Sequence, residues 1–317
     1  MQERCREVIA GIRIMMLGVS ASEAIIAIED NKPRALGTML NEVEQLSDIR
    51  IVKVPTRYPM GSEKHLVYTI TGKEIPAGKL ATDIGVIVHN VGTAYAVYEA
   101  IYKGKPLVSR IVTVSGGAVK TPRNLEVPFG TLISDLIEFC DGFKAQPARI
   151  LMGGPLMGMV MPNEHVPIIK GSNAIIALTE KEISVTKPSP CIRCSSCVTA
   201  CPCGLLPLEM AANIRTGKFD NAVELGVKDC ISCGSCAYVC PANIPLVHFF
   251  NYAKGELVAR AKAEKQQIYT SELAEQRRAR MEKIEAEKVA IRARALAAKK
   301  AREAAKAAQQ NTERATS

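Results

Sequence analysis

The chain has 317 residues, 47% of them hydrophobic, with 4% aromatics, no Trp and a formal net charge of +9. That length exceeds one typical domain, and the apolar content is ample for a packed core, so a wholly disordered chain is excluded. Scarce aromatics argue against a base-stacking nucleic-acid reader, and the charge is a property of one end: sixteen Lys and Arg against nine Asp and Glu from Lys254 onward, 25 against 23 before it.

No stretch approaches the roughly 18 consecutive apolar residues that would span a bilayer. The opening "MQERCREVIAG" carries charges where the apolar run of a signal peptide would begin. A soluble or peripheral cytoplasmic protein is expected, so its eleven cysteines are expected to stay reduced and not to form a disulfide scaffold.

In chain order, residues 3–17 carry apolar positions at helical spacing (Val8, Ile9, Ile12, Met15, Met16) and stop at Gly18. "IIAIED" at 25–30 reads as a buried strand. Asn31 is placed to cap a helix with Pro33 at its first position, running to about Ser47. "IRIVKV" at 49–54 is the next strand, and strand–helix–strand with short connections predicts a parallel α/β layer. "DIGVIVHNVGTAYAVYEAIYKGKP" at 83–106 predicts a strand over 84–89, a polar loop at Asn90–Thr93 and a helix capped by Thr93.

From Pro106 short strands alternate with Gly and Pro turns around one helix, "TLISDLIEFCDG", capped by Thr131 and ended by Gly142. A small α+β module follows from this. Gly153, Gly154 and Gly158 form no dinucleotide fingerprint and are expected to serve turns and close backbone approach. After Gly255 neither Gly nor Pro occurs, and Ala, Glu, Lys, Arg and Gln predict a solvated, partly frayed helix. Contact of this tail with acidic lipid or a partner subunit is the alternative.

The chemistry lies in "CIRCSSCVTACP" at 191–202 and "CISCGSCAYVCP" at 230–241. Both have the spacing C-x₂-C-x₂-C-x₃-C-P. Three thiolates on such a loop bind three irons of a [4Fe–4S] cubane, and in two-cluster ferredoxins the fourth cysteine serves the other cluster. One cluster is therefore expected on Cys191, Cys194, Cys197 and Cys240, the other on Cys230, Cys233, Cys236 and Cys201. Zinc sites use paired cysteines or histidines, not a triple followed by Cys-Pro. Cys203 lies off the pattern and reads as a packed free thiol; Cys5 and Cys140 read as small core residues. "LPLEMAANIRTG" and "DNAVELGV" between the runs predict a mainly helical ferredoxin domain. The four histidines (65, 89, 165 and 248) show no ligand spacing, and no catalytic triad or carboxylate pair stands out.

Together with "KVPTRYPMGSEKHLVYTITGKEIPAGKLATDIGVIVHNVGTAYAVYEAI" and "MGGPLMG", the double cysteine motif resembles the C subunit of the Rnf/Rsx electron-transport complex. The resemblance covers most of residues 1–252. It implies a partial α/β domain similar to the flavin- and NADH-binding subunit of respiratory complex I (1–104), a β-grasp module of the soluble-ligand-binding type (105–160) and a connecting segment (161–183). A two-cluster ferredoxin domain (184–252) and a basic Ala/Lys/Glu-rich helical or disordered tail (253–317) complete it. "YPMGSEKHL" resembles a loop whose glutamate approaches the nicotinamide cofactor, matching Glu63; "NVGT" resembles the flavin loop, matching Asn90.

The family's glycine-rich loop for the FMN and NADH phosphates would precede residue 1. The chain thus reads as truncated at its front, with FMN and NADH expected only if that region is supplied, and this chain alone is not expected to be a complete NADH dehydrogenase. The resemblance implies electron transfer between NADH and ferredoxin coupled to ion translocation. It also implies docking on other subunits at the cytoplasmic face of the bacterial inner membrane, with no nucleic acid partner. The rival reading is an assembly scaffold with structural clusters and a basic docking tail.

Overall fold

In the computed structural model, residues 1–183 and 187–315 are described, with side chains up to Glu303. The chain divides into two units, Met1–Ala253 and Lys254–Ser317.

The first unit opens with α1 (Cys5–Val19), β1 (Ala24–Glu29), α2 (Pro33–Val43) and β2 (Ile49–Val54). β1 and β2 pair in parallel, Ala24 opposite Ile49, as strands joined through a crossover helix do. Val8 and Ile9 of α1, Met39 and Val43 of α2, and Ile26, Ile28 and Ile49 of the strands close one apolar cluster. α3 (Glu63–Thr71) and α4 (Val91–Lys103) follow. α4 crosses α1 closely: a Cβ on Gly11 would lie 1.8 Å from the carbonyl oxygen of Ala94.

Several expected details differ. α1 continues past Gly18 to a left-handed Ser20, whose N–H bonds back to Met16 and Leu17 carbonyls. Lys32, not Asn31, is the N-cap of α2, which ends at Val43 rather than Ser47. No strand forms over 84–89; residues 81–84 make a 3₁₀ turn, closed by Gly85 N–H to Thr82, and the next residues find no ladder partner. Without interstrand bonds an alternating apolar run is only extended chain. Asn90, not Thr93, caps α4, its Oδ1 accepting from Gly92 N–H at 2.8 Å.

Next come β3 (Ser109–Ser115), β4 (Arg123–Pro128), α5 (Ile133–Phe139), β5 (Arg149–Met152), β6 (Met159–Met161) and β7 (Ala174–Leu178). They form a five-stranded mixed sheet in the order β4-β3-β7-β5-β6, with β3 and β7 parallel. α5 lays Ile133, Leu136 and Ile137 on Val112, Val114, Ile175 and Ala177. β7 falls in 161–183, expected only to connect, and instead supplies the central strand. Ile175 and Ala177 are buried and Ala174, Ile176 and Leu178 half-buried, and with all five positions apolar the strand lacks the polar alternation that would mark a surface strand. Thr131 does not cap α5: its hydroxyl donates to Pro128, while Asp135 accepts from the N-cap Leu132 N–H. Gly153, at φ +112°, and Gly158 face each other across the β5–β6 turn, where a Cβ on Gly158 would lie 2.5 Å from the Gly154 carbonyl oxygen.

The last part of the unit is helical: α6 (Ser196–Thr199), α7 (Pro207–Arg215), α8 (Phe219–Glu224), α9 (Ser235–Tyr238) and the start of α10 (Leu246–Ala315). Met210, Ile214, Phe219, Ala222, Val227 and Phe250 are buried here. The expected boundary at 184 falls outside the described residues, as do Thr316 and Ser317 of the expected tail. In the second unit the described chain is continuous helix, with Lys254, Glu256, Leu257 and Ile284 half-buried and the other described side chains exposed. Among the described residues no helix is long and apolar enough to cross a membrane.

Candidate metal centres

The two cysteine loops repeat one backbone path. In the first, Arg193 and Ser195 have positive φ (56° and 61°); in the second, Ser232 and Gly234 do (55° and 91°). A loop alternating right- and left-handed residues turns successive N–H groups to one side. Accordingly Arg193 N–H donates to Cys191 Sγ at 3.3 Å and Ser232 N–H to Cys230 Sγ at 3.4 Å. Each loop then enters a one-turn helix, α6 or α9, which carries the third cysteine. The fourth is followed by Pro and, two residues later, by another positive φ, at Gly204 (64°) and Asn243 (52°).

Cys191, Cys194, Cys197 and Cys240 line one small cavity. Cys230, Cys233, Cys236 and Cys201 line a second. Each group of four takes three cysteines from one run and the fourth from the other. The walls are otherwise mostly apolar: Leu208, Ile244 and Leu246 at the first; Leu205, Met210, Val247 and Phe250 at the second. Consecutive residues of one helix serve both cavities, Pro207 and Leu208 on α7, Leu246 and Val247 on α10, so the cavities adjoin. Among the described residues no three His, Cys, Asp or Glu converge on a single-ion site. Four sulfurs spread around a cavity, with N–H donors on them, suit a cubane whose irons each need one thiolate.

The two sites differ in access. Cys191 and Cys194 are exposed, whereas Cys233 and Cys236 are each 7% exposed. Burial and then the neighbouring Cys230 and Cys233 sulfurs push the Cys236 thiol up to about 12. Hydrogen bonds from the Ser196 hydroxyl and N–H hold the Cys194 thiol below its usual range. Cys203, expected off the ligand pattern as a packed free thiol, is half-buried in the wall of the second cavity, its thiol raised by burial. Cys5 and Cys140 are buried in the two apolar cores.

Sequence reasoning missed what surrounds the second site. Tyr58 OH donates to the backbone carbonyl of Cys233. His65 Nε2 lies 3.1 Å from the Pro202 carbonyl oxygen, and Lys64 Nζ lies 3.3 Å from Asp229 Oδ1, next to Cys230. Gly234 lies under Leu156 of the β5–β6 turn, where a Cβ would come within 3.1 Å of the Leu156 carbonyl oxygen. The Tyr58 and His65 contacts join residues 175 and 137 positions apart, which no local pattern announces. Of the expected nucleotide residues, Glu63 is exposed at the start of α3, beside Lys64, and the Asn90 carboxamide caps α4.

Three family models match the chain: the Nuo51 FMN-binding domain over residues 1–99, the SLBB domain over 111–160 and the 4Fe-4S dicluster domain over 190–244. The dicluster match, on a segment holding both cysteine-lined cavities, gives the chain two [4Fe–4S] clusters. Over 267 residues (84% of this chain, 51% of the relative) it is 49% identical to the C subunit of the ion-translocating oxidoreductase complex of Rhodobacter capsulatus. Over 266 residues (84% and 58%) it is 43% identical to the C subunit of the proton-translocating ferredoxin:NAD(+) oxidoreductase complex of Clostridium ljungdahlii. Over 302 residues (95% and 37%) it is 41% identical to the C subunit of the ion-translocating oxidoreductase complex of Erwinia tasmaniensis. The chain thus spans about half the length of the first of these relatives. By these likenesses it belongs to the family of C subunits of Rnf-type ion-translocating oxidoreductase complexes.

Proposed function

We propose that this chain is an electron-transfer subunit of a membrane-bound complex that couples electron flow between NADH and ferredoxin to ion translocation. The observation that carries the reading is the pair of adjoining cavities, each walled by three cysteines of one run and the fourth of the other. Cys191, Cys194, Cys197 and Cys240 would hold one cluster, and Cys230, Cys233, Cys236 and Cys201 the other. When bound, each cluster takes up and releases single electrons. The chain's own part is to fix eight thiolates, to aim N–H groups at their sulfurs and to keep water off the second site with Met210, Val247 and Phe250. Crossed ligation ties the two loops into one body, so the separation between the sites stays constant, as stepwise transfer needs.

The rest of the reading follows the same family. The five-stranded sheet module is taken as a β-grasp of the soluble-ligand-binding type. Residues 1–104 are taken as part of an FMN- and NADH-binding domain, with Glu63 toward the nicotinamide and Asn90 toward the flavin. The site of action is the cytoplasmic face of the inner membrane, against other subunits of the complex. The tail adds a lipid contact. At 100° per residue, Lys262, Arg277, Arg280, Lys288, Arg294, Lys299 and Arg302 share one arc with Val258, Tyr269, Leu273, Ile284 and Ile291. Glu256, Glu264, Glu272, Glu275, Glu282, Glu285 and Glu303 lie on the other side, while Glu287 falls within the basic arc. A basic arc carrying scattered apolar residues suits an acidic bilayer surface.

The test is anaerobic purification with iron and acid-labile sulfide analysis, followed by reduction under electron paramagnetic resonance. About eight irons and eight sulfides per chain, and two reducible centres that exchange electrons with a viologen, are expected. Zinc in place of iron, or absent sulfide, would end the reading. Clusters that no viologen reduces would turn it to the scaffold.

A further inference from the structure

The two cluster loops are near copies, yet their surroundings are not. At the second site, Tyr58 OH donates to the Cys233 carbonyl, and His65 Nε2 meets the Pro202 carbonyl at 3.1 Å. A carbonyl only accepts, so Nε2 carries the proton there. Both contacts come from the short segment that ends β2 and begins α3. The equivalent carbonyls at the first site are those of Cys194 and Pro241, and the bonds of Tyr58 OH and His65 Nε2 go to the second site.

We propose that Tyr58 and His65 are positioning residues that raise the reduction potential of the cluster on Cys201, Cys230, Cys233 and Cys236 relative to its twin. The inference rests on the two-cluster reading above. In a trans peptide the C=O and N–H point in opposite directions. Holding the Cys233 carbonyl outward turns the Gly234 N–H inward, and holding the Pro202 carbonyl turns the Cys203 N–H inward. Gly234 and Cys203 both line the second cavity. Reduction adds negative charge to a cluster, and N–H dipoles fixed toward it stabilise that added charge. Gly234, at φ +91°, makes this orientation accessible, and Leu156 packs over it from outside. The Lys64–Asp229 ion pair is a third tie to the same site, one residue before Cys230. His65 Nδ1 is buried with no hydrogen-bond partner. The ring therefore gains little at its other nitrogen, and its one bond is the contact to Pro202.

The test is a redox titration of both cluster signals in the full chain carrying Tyr58→Phe, His65→Leu or His65→Gln, with iron and sulfide measured on each. Tyr58→Phe and His65→Leu are expected to lower one midpoint only, with iron retained, and the midpoint that moves is the one surviving in Cys194→Ala. His65→Gln, whose amide can still donate to Pro202, is expected to restore most of the shift. Unmoved midpoints, equal movement of both, or movement of the other midpoint would overturn the proposal. Should His65→Leu lose iron, Tyr58→Phe decides, since it removes one hydroxyl and no volume. A wild-type chain without labile sulfide would instead sink the two-cluster reading, a separate failure seen before any variant is made.

Discussion

Cys203 sits in the wall of the second cavity where Ala242 sits in the wall of the first. Each lies two residues past a fourth cysteine and just before a residue of positive φ, Gly204 or Asn243. One copy of the repeat thus works with a methyl group at this place. Cys203→Ala is therefore expected to keep all of the iron, about eight atoms per chain. Loss of half the iron would move the fourth ligand from Cys201 to Cys203 and overturn the assignment of Cys201.

Cys194→Ala is expected to do the opposite. It removes one thiolate of the first site and should leave about four irons per chain, held by the second. Retention of both reduced signals at full intensity would show that Cys194 is no ligand.

The difference in exposure between the sites should emerge as a difference in lability. An iron chelator or a small oxidant meets Cys191 and Cys194 at the surface but Cys233 and Cys236 under protein. The first cluster is expected to be lost first, as one signal fading before the other. In the iron-free chain a thiol-alkylating reagent at a pH of about 8 should label Cys194 well before Cys236. The thiolate is the reactive form, and the Cys236 thiol, pushed up to about 12, is almost wholly protonated at that pH. Its labelling should speed up as the pH rises; equal rates at the two cysteines would contradict the burial seen here.

The cysteine pattern is legible in the sequence because cluster ligation is local chemistry: three thiolates on one loop need a fixed spacing, and proline needs a fixed place after the fourth. β1 and β2 are legible for a similar reason, since their apolar runs are bounded by turns and joined by one short helix. The run at 84–89 has much the same texture but no neighbour to bond, and a strand exists only in a ladder. β7 reads as a connector, although "AIIAL" is as apolar as β1, because what makes it central is its placement between β3 and β5. The expected caps Asn31, Thr93 and Thr131 lie one to three residues from the true ones, because several polar residues compete at each helix start. The clamp of Tyr58 and His65 on the cluster loops leaves no local trace.

Gly11 is a place where the α/β layer depends on having no side chain. Its missing Cβ lets α1 rest on the Ala94 carbonyl of α4, and Gly11→Ala would put a methyl 1.8 Å from that oxygen. Backbone cannot yield as a flexible side chain can, so the helices must separate. A loss of about 3 kcal/mol in denaturant unfolding is expected, the upper end of ordinary overpacking. An unchanged midpoint would mean that the two helices do not meet here.

The tail reading makes a claim about direction, not only about charge. Reversing Arg277, Arg280 and Lys288 to Glu alters the arc that also carries Leu273, Ile284 and Ile291; reversing Arg260, Arg278 and Arg292 changes the net charge equally on the other side. At about 1 kcal/mol per basic residue near an acidic surface, the first triple should weaken binding to phosphatidylglycerol vesicles by at least about 100-fold. The second triple should weaken it far less, and neither protein should bind phosphatidylcholine vesicles. Equal losses in the two triples would leave net charge as the only cause and remove the case for an oriented face. Binding unchanged in both would return the tail to the solvated-helix reading.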